Sequence, residues 1–326
     1  MSEKTTAQAE LLFNRLTKRY RHLKKWARRT ETNAFRLYDR DIPEIPLTLD
    51  LYSDAVSGAL YKSPAELQTE ENEKKAWIGA MIAASARALG IDESHIFIKE
   101  RRKLSHRQDT GDQYNRMSSL NFYRDVKEAD LFFRVNLSDY LDTGLFLDAR
   151  KKRALIRREA EAKRVLNLFA YTCTLSAAAA KGGAKQVDSV DLSRTYLDWG
   201  KINFALNKLP VQDRFTFIQN DMMQFIGEAA KKRARWDLII LDPPSFSNSK
   251  RMKGPLDIKQ DHYELIHQCL SLLSPGGKLI FSSNAKGFAL DVKGFPGYTV
   301  KDMGKDLEDE DFKGKRMPAN YVIIPL

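Results

Sequence analysis

The chain has 326 residues, of which 43% are hydrophobic and 10% aromatic, a composition that suits folded domains and excludes a generally disordered chain. Lys and Arg number 54 against 43 Asp and Glu, and this formal net charge of +11 gives a surface that attracts polyanions such as nucleic acid. Cys173 and Cys269 are far apart and form no C-x-x-C pattern, which argues against a disulfide framework and against a zinc site.

The first predicted element is a basic amphipathic helix over residues 11–29, within an N-terminal segment that we assign to residues 1–32. Its apolar residues recur at helical spacing: Leu12, Leu16, Tyr20, Leu23 and Ala27. Basic residues fill the other faces, and no acidic residue occurs in residues 14–29. We interpret the charged face as a track along RNA phosphates; a merely solvated face and a membrane-surface helix are the alternatives.

The N-terminal residues MSEKTTAQAE lack the apolar core of a signal peptide, and no apolar stretch of the sequence approaches the length that spans a bilayer. We therefore expect a cytoplasmic protein that has no membrane partner.

Residues 33–134 are predicted to form a small α+β domain. Short β-like runs, AFRLYD, LTLDLY and HIFIKE, surround one helix with apolar spacing at residues 77–89. The polar stretch at residues 101–116 shows no periodicity and is predicted to be a loop or hairpin, and a solvated loop is favoured over contact of its basic residues with RNA.

The region from residue 135 to residue 326 alternates apolar strands with amphipathic helices. The predicted strands are residues 165–169, 187–191, 215–220, 238–242 and 278–283. This alternation predicts an α/β fold with a mostly parallel, doubly wound sheet that is buried on both faces and binds its ligand beyond the carboxyl ends of the strands.

The turn after the first of these strands contains no glycine. It reads NLFAYTC, whereas a dinucleotide-binding fold would need G-x-G-x-x-G to seat a pyrophosphate on the following helix. S-adenosylmethionine has no phosphate, so a turn with fewer glycines can pass beside its methionine moiety. The expected cofactor-binding residues of this turn are Asn167, Phe169, Tyr171 and Thr172.

Carboxylates follow the next two strands. Asp191, with Leu192 and Ser193 after it, can accept hydrogen bonds from both ribose hydroxyls of a nucleoside. Asp221 can accept one from an adenine amine, and Met222 can pack on the ring. Either aspartate alone could instead be a helix N-cap, but two in this register favour a nucleoside site.

The fourth strand leads into the most specific motif of the chain, Asp242-Pro243-Pro244-Ser245-Phe246. Two prolines fix φ and remove two donors, so the chain leaves the sheet in a rigid extended turn that can hold a planar base beside a sulfonium methyl. We expect Asp242 to touch the cofactor as well and, with Ser245, to orient the base edge, while Pro243, Pro244 and Phe246 fix the base plane. A stiff surface turn is the alternative.

These segments, taken in order through nearly the whole chain, resemble the RlmK family, the half of the bacterial fused RlmKL enzymes that methylates guanine N7 in 23S ribosomal RNA. Further matching segments are NRLTKRYRHLKKWARR, FRLYDRDIPE, VNLSDYLDTGLFLDAR, QDHYELI, FSSNAKGF and DFKGKRMPANYVI. The resemblance implies a Rossmann-like class I methyltransferase domain that uses S-adenosylmethionine, and an N-terminal α+β domain that helps to bind RNA. It also implies that five residues help to close the cofactor pocket: Thr143, Gly144, Phe146, Asp148 and Arg150.

Two departures from the family pattern stand out. Cys173 occupies a position where the family usually has glycine. The RNA-binding THUMP domain and the second methyltransferase that precede RlmK in the fused enzyme are missing from this sequence. We therefore expect the chain to act on 23S ribosomal RNA or a ribosomal assembly intermediate, alone or with a separate RlmL-like partner.

Three alternative functions stay open. Methylation of an exocyclic amine often uses an aromatic residue directly after the two prolines, where this chain has Ser245. Methylation of cytosine C5 needs a cysteine nucleophile, and the RlmI-like Ser-Cys-Ser is replaced here by a segment containing Ser283 and Asn284. A non-catalytic RNA-binding module in ribosome assembly is the third.

Three further expectations concern single features. No metal is expected, because His262 and the other histidines show no ligand spacing. Cys269 is predicted to be a core residue of a helix, and the acidic run at residues 306–311 a solvated loop.

Overall fold

The computed structural model describes residues 2–61, 71–101, 116–210, 213–247 and 254–326. These residues form two compact units: Met1–Asp130 with Val135–Thr143, and Leu131–Arg134 with Gly144–Leu326. Most of the polar stretch predicted as a loop, residues 102–115, lies outside the described residues. In the part of the chain that is described, no helix combines the length and apolar character needed to cross a bilayer.

The described residues of the first unit form a four-stranded sheet, two α-helices and a fifth strand. In chain order these elements are α1 (Glu3–Arg29), β1 (Ala34–Asp39), β2 (Leu47–Tyr52), β3 (Ala55–Tyr61), α2 (Glu71–Leu89), β4 (Ile96–Arg101) and β5 (Tyr123–Glu128). The order in the sheet is β1-β2-β3-β4, with antiparallel pairs up to β3 and a parallel β3–β4 pair joined through α2. The predicted runs AFRLYD and LTLDLY coincide with β1 and β2, whereas β3, AVSGALY, was not predicted because its small residues give little alternation.

Helix α1 packs its apolar stripe into the core of this unit. Leu12, Leu16 and Leu23 are fully buried, Ala27 is nearly so, and Tyr20 packs half-buried against the same cluster. The predicted stripe is therefore confirmed, and the helix shares one core with the α+β sheet.

The segment Val135–Thr143 belongs to the first unit, although sequence analysis placed residue 135 at the start of the second domain. Two ion pairs join this segment to the rest of the unit: Arg101 contacts Asp142, and Nη2 of Arg116 lies 2.8 Å from Oδ2 of Asp139. The charge pattern alone did not reveal these long-range pairs.

The second unit is a seven-stranded sheet flanked by helices. Strand β6 (Leu131–Asn136) comes before it and belongs in part to each unit. The elements of the second unit are then, in chain order, α3 (Arg150–Glu159), β7 (Arg164–Leu168), α4 (Thr174–Lys181), β8 (Gln186–Asp191), α5 (Arg194–Leu206), β9 (Phe215–Gln219), α6 (Met222–Lys231), β10 (Trp236–Leu241), β11 (Phe246–Ser247), β12 (Leu256–Asp257), α7 (Ile258–Leu270), β13 (Leu273–Ser283), β14 (Tyr298–Asp302) and β15 (Ala319–Pro325). The predicted strands are confirmed, with ends shifted by one or two residues except in β13, which begins at Leu273 rather than Lys278.

The sheet order is β14-β15-β13-β10-β7-β8-β9. All pairs from β13 through β9 are parallel, and β15 is antiparallel to both of its neighbours. The fold is thus the predicted Rossmann-like α/β architecture. The chain adds β8 and β9 on one side of the central pair β7 and β10, and β13 on the other side. The order of the strands thus reverses between β7 and β10, and the carboxyl ends of these two strands form the switch point where such sheets bind ligands.

Candidate cofactor and catalytic site

The turn after β7 adopts an unusual backbone. Phe169, Tyr171 and Cys173 have φ of 58°, 50° and 57°, which is the left-handed region that glycine favours. Each such residue costs about 1–2 kcal/mol, and strain of this kind concentrates at functional sites. The surrounding structure must therefore hold the turn in place.

Hydrogen bonds from three neighbouring elements hold this turn. The Tyr171 N–H donates to Oδ2 of Asp191 at 2.8 Å. The carbonyl of Thr172 accepts from Nδ2 of Asn203 in α5 at 2.8 Å, and the Thr172 hydroxyl donates to the carbonyl of Gly144. These bonds hold three left-handed residues in a turn that contains no glycine.

Cys173 fits because a glycine faces it. It precedes the first residue of α4, and a Cβ atom added at Gly200 would lie 2.5 Å from its Sγ. Burial raises the pKa of the Cys173 thiol, so this side chain is a neutral packing group rather than a nucleophile. The replacement of the family's usual glycine is therefore accommodated by Gly200.

Asp191 ties the ends of two elements together. Its Oδ2 accepts from Tyr171, as above, and its Oδ1 accepts from the N–H of Ser193 at 2.8 Å. Burial raises the pKa of the Asp191 carboxyl. Because Ser193 is itself the N-cap of α5, Asp191 is free of the capping role, and its remaining lone pairs can accept from hydroxyls.

Asp221, in contrast, is a helix cap. Its Oδ1 accepts from the N–H of Gln224 at 3.0 Å and closes the first turn of α6. Met222, the next residue, is buried in the core of the sheet. A capping carboxylate still has lone pairs that can accept other hydrogen bonds. The contacts predicted for Asp221 with the adenine amine and for Met222 with the adenine ring stay predictions.

Asp242 makes a contact that sequence analysis missed. Its Oδ2 lies 2.7 Å from Nζ of Lys152 in α3, and the same ammonium donates to Oγ of Ser282 at 2.9 Å. The Lys152 side chain is 5% exposed and that of Asp242 is 30% exposed. In the sequence, Lys152 is one of four consecutive basic residues, and nothing in that run marks it as buried.

The rest of the proline motif forms a fixed exit from the sheet. Pro243 is buried, whereas Ser245 is exposed. Phe246 pairs with Asp257 in the short ladder of β11 and β12, and the carbonyl of Ser245 accepts from the N–H of Ile258 at 3.3 Å. The roles predicted for this motif, and for Pro244 within it, stay predictions.

The segment before α3 contributes an exposed aromatic ring. Phe146 is 49% exposed, and its ring centroid lies 5.2 Å from that of Tyr171, which in turn lies 4.5 Å from that of Tyr196. Asp148 follows in a 3₁₀ turn. The structure thus places the Phe146 ring against Tyr171 in the turn after β7, and its role in cofactor binding stays a prediction.

Two residues predicted to close the cofactor pocket have other partners in the structure. Thr143 lies in the first unit, where its hydroxyl donates to Oη of Tyr52 at 2.9 Å. Arg150 is buried, and its Nη1 lies 2.9 Å from carboxylate oxygens of both Asp309 and Asp311. The solvated loop expected at residues 306–311 is therefore wrong for these two aspartates, because both are buried and paired.

Comparison with known proteins identifies the family. Residues 39–293 match the family of S-adenosylmethionine-dependent methyltransferases. The chain belongs to this family. Its sequence is 42% identical over 304 residues to the ribosomal RNA large subunit methyltransferase K/L of Pseudomonas entomophila, covering 93% of this chain and 40% of that protein. For the same enzyme of Pseudomonas syringae pv. tomato the identity is 44% over 303 residues, 93% of this chain and 39% of that protein.

The methyltransferase thus spans about two-fifths of the length of these relatives. Solved structures share its fold. SMU.776, described as a methyltransferase and solved with SAH, gives a TM-score of 0.74 at 24% identity, over 97% of this chain and 81% of that one. Trm5 of Methanocaldococcus jannaschii, solved with adenosine, gives 0.55 at 15% identity, over 89% and 75%.

The cofactor of this methyltransferase is S-adenosylmethionine, and the residues at the switch point fit it. Asn167 in β7 is fully buried; its Nδ2 donates to Oγ of Ser176 at 2.8 Å, while its Oδ1 has no hydrogen-bond partner among the described residues. We expect this oxygen to accept from the ammonium of the methionine moiety, and Asp191 to accept from the ribose.

Two other sequence expectations can be placed. Cys269 is buried in the core of the sheet, as predicted, and burial raises the pKa of its thiol. His262 is buried and packs on Phe288, with ring centroids 5.0 Å apart. Across the described ranges, no three His, Cys, Asp or Glu side chains are grouped so as to hold a metal ion.

Replacing Asp191 tests the cofactor assignment. We expect Asp191→Asn to weaken binding of S-adenosylmethionine and SAH by about 10-fold to 100-fold, because a hydrogen bond to a charged acceptor contributes ~1.5–3 kcal/mol. Isothermal titration measures this, with Asp198→Asn, an exposed carboxylate of α5, as the matched control. Unchanged affinity in Asp191→Asn would refute the assignment.

Gly200 and Cys173 test the shape of the turn. We expect Gly200→Ala to lower the free energy of unfolding by about 1–3 kcal/mol, because its Cβ would meet Sγ of Cys173. Adding Cys173→Gly to that variant removes the clash and should recover most of the loss. Urea unfolding of the wild type and the two variants measures this, and a double variant no more stable than Gly200→Ala would show that another contact is responsible.

Proposed function

We propose that the chain transfers a methyl group from S-adenosylmethionine to N7 of a guanine in large-subunit ribosomal RNA. The observation that carries this proposal is the rigid Asp242-Pro243-Pro244-Ser245-Phe246 exit at the switch point of the sheet. Support for the RNA class comes from the relatives named as ribosomal RNA large subunit methyltransferase K/L, of which the chain matches a part.

The reaction places modest chemical demands on the protein. S-adenosylmethionine supplies an electrophilic methyl group on a sulfonium. Guanine N7 carries an in-plane lone pair, so no proton has to be removed before transfer. The protein then contributes position and a field that tolerates the cationic product.

The residues of the exit turn suit this task. Asp242 has a partly exposed carboxylate at the strand end, and the exposed Ser245 offers a hydroxyl to a base edge. The buried Pro243 anchors the turn to the sheet, and the half-buried Phe246 offers part of a ring face for stacking. We propose that these groups orient the guanine.

The state of the cysteines supports N7 over cytosine C5. Cys173 and Cys269 are the only cysteines of the sequence, and both are buried with a raised pKa of the thiol. Neither suits the nucleophilic role that C5 chemistry needs. An exocyclic amine remains the second candidate, because its enzymes also use a proline pair after the fourth strand.

The charged face of α1 supports RNA as the partner. Within residues 18–29 of this helix, six lysine and arginine side chains are exposed: Lys18, Arg21, Lys24, Lys25, Arg28 and Arg29. At 100° per residue, Lys18, Arg21 and Lys25 lie on the side opposite the buried stripe of Leu12, Leu16 and Leu23. Residues 18–29 span about 16 Å at 1.5 Å per residue, enough to pass several phosphates. We define this face as the basic stripe.

The transfer reaction itself is the first test. We expect labelled methyl from S-adenosylmethionine to enter 23S ribosomal RNA that lacks the modification, at one guanine, with cleavage specific for N7-methylguanine at that site. Mass spectrometry that instead finds methyl on an exocyclic amine would replace the N7 proposal with the second candidate. Cofactor binding without transfer either to this RNA or to a ribosomal assembly intermediate that lacks the modification would overturn the ribosomal substrate.

Charge reversal tests the basic stripe. We expect Arg21→Glu with Lys25→Glu to raise the KM for RNA by about 10-fold to 100-fold, to leave kcat within about twofold, and to reduce the salt slope of binding by roughly 1.5. The matched control is Lys231→Glu with Lys232→Glu, two exposed lysines at the end of α6. Equal effects of both pairs would mean that only net charge matters.

A further inference from the structure

Lys152 is the least expected residue at the switch point. It is almost fully buried, yet it is charged and its ammonium contacts the first residue of the proline motif. The three other basic residues of the run have different partners: Arg150 pairs with Asp309 and Asp311, Lys151 donates to the carbonyl of Glu308, and Arg153 donates to the carbonyl of Phe146 at 2.9 Å.

The hydrogen bonds around Lys152 have only one possible direction. Because an ammonium only donates, Lys152 donates to Asp242 and to the hydroxyl of Ser282. The Ser282 hydroxyl in turn donates to Oδ1 of Asn320 at 3.0 Å, and Nδ2 of Asn320 donates to the carbonyl of Pro318 at 2.8 Å. The two strands that carry these side chains are themselves paired at Ser282 and Asn320. The ammonium is thus held from the sheet side and directed at one carboxylate.

This arrangement fixes Asp242. Its Oδ2 accepts from the ammonium, its Oδ1 and the second lone pair of Oδ2 can still accept from a ligand, and the positive charge of Lys152 offsets its negative charge. A buried ion pair usually adds little stability over apolar side chains of similar volume, so stability alone gives little reason for a lysine here.

We propose that Lys152 is a positioning residue that orients Asp242 and sets the net charge beside the reacting methyl group. The proposal rests on the proposed function of Asp242. It adds a role for a residue that does not itself touch the substrate.

The variants can be chosen so that the fold survives. Lys152→Met keeps the length and removes the charge, and the carboxylate it leaves is 30% exposed and can be hydrated. Asp242→Asn keeps an oxygen that can accept from Lys152, whereas Asp242→Ala would strand a buried ammonium. Lys151→Met is the matched control, because this neighbour donates to the carbonyl of Glu308 instead. Thermal unfolding of each variant checks that it is folded.

A kinetic double-mutant cycle on 23S ribosomal RNA is the first arm. We expect Lys152→Met to lower kcat by about 10-fold to 100-fold with the KM for RNA unchanged, since misplacement of a reacting group costs this much. The double variant with Asp242→Asn should be no slower than Asp242→Asn alone. A double variant in which the two kcat losses multiply would overturn the proposal, and so would a Lys152→Met variant as active as the wild type.

Cofactor binding is the second arm and needs no RNA. Removing the ammonium leaves a net negative charge, so Lys152→Met should raise the preference for cationic S-adenosylmethionine over neutral SAH by about threefold to tenfold, and Asp242→Asn should cancel that change. If the wild type methylates no RNA, the proposed function fails and this arm alone decides: an unchanged preference in all variants would overturn the role of Lys152.

Discussion

The hydrogen bond between the Tyr171 N–H and Asp191 is the contact on which the candidate site depends. A turn with three left-handed residues and no glycine would not hold its shape unaided, since each of those residues prefers another conformation. The Asp191 carboxylate links the end of β7 to the start of α5 from a partly buried position, where desolvation raises the pKa of its carboxyl. The turn after β7 is thus held by the same carboxylate that we expect to accept from the ribose.

Helix α3 plays the corresponding part on the other side of the switch point. Its buried basic residues each fasten a different segment: Arg150 the loop between β14 and β15, Lys152 the exit from β10, and Arg153 the chain at Phe146. Burying three cations in one helix is costly unless each finds an acceptor, and each does. Helix α3 therefore holds its neighbouring segments through its charged side chains, whereas the turn after β7 is held by hydrogen bonds between its backbone and neighbouring side chains.

Sequence predicts the local features of this site better than its long-range contacts. The strands, the sheet class and the carboxylates at the strand ends follow from local patterns, because apolar runs and their polar ends are contiguous in the chain. The capping role of Asp221 and the freedom of Asp191 from capping depended on which neighbour starts each helix, and sequence left both open. The partners of Lys152 and Arg150 lie 90 or more residues away, and a run of four basic residues gives no sign of which ones turn inward.

The same distinction bears on the chemistry. Attack by an in-plane lone pair asks a protein for placement rather than for proton transfer. The described groups at the switch point are mostly immobilised ones: a proline pair anchored by a buried Pro243, a carboxylate held through Oδ2, and a strained turn held at Asp191. Such a site suits the guanine transfer that we propose, which needs the base held still, and neither cysteine of the chain offers an accessible thiol, because both are buried. A reaction limited by geometry is therefore the one that this arrangement of fixed groups favours.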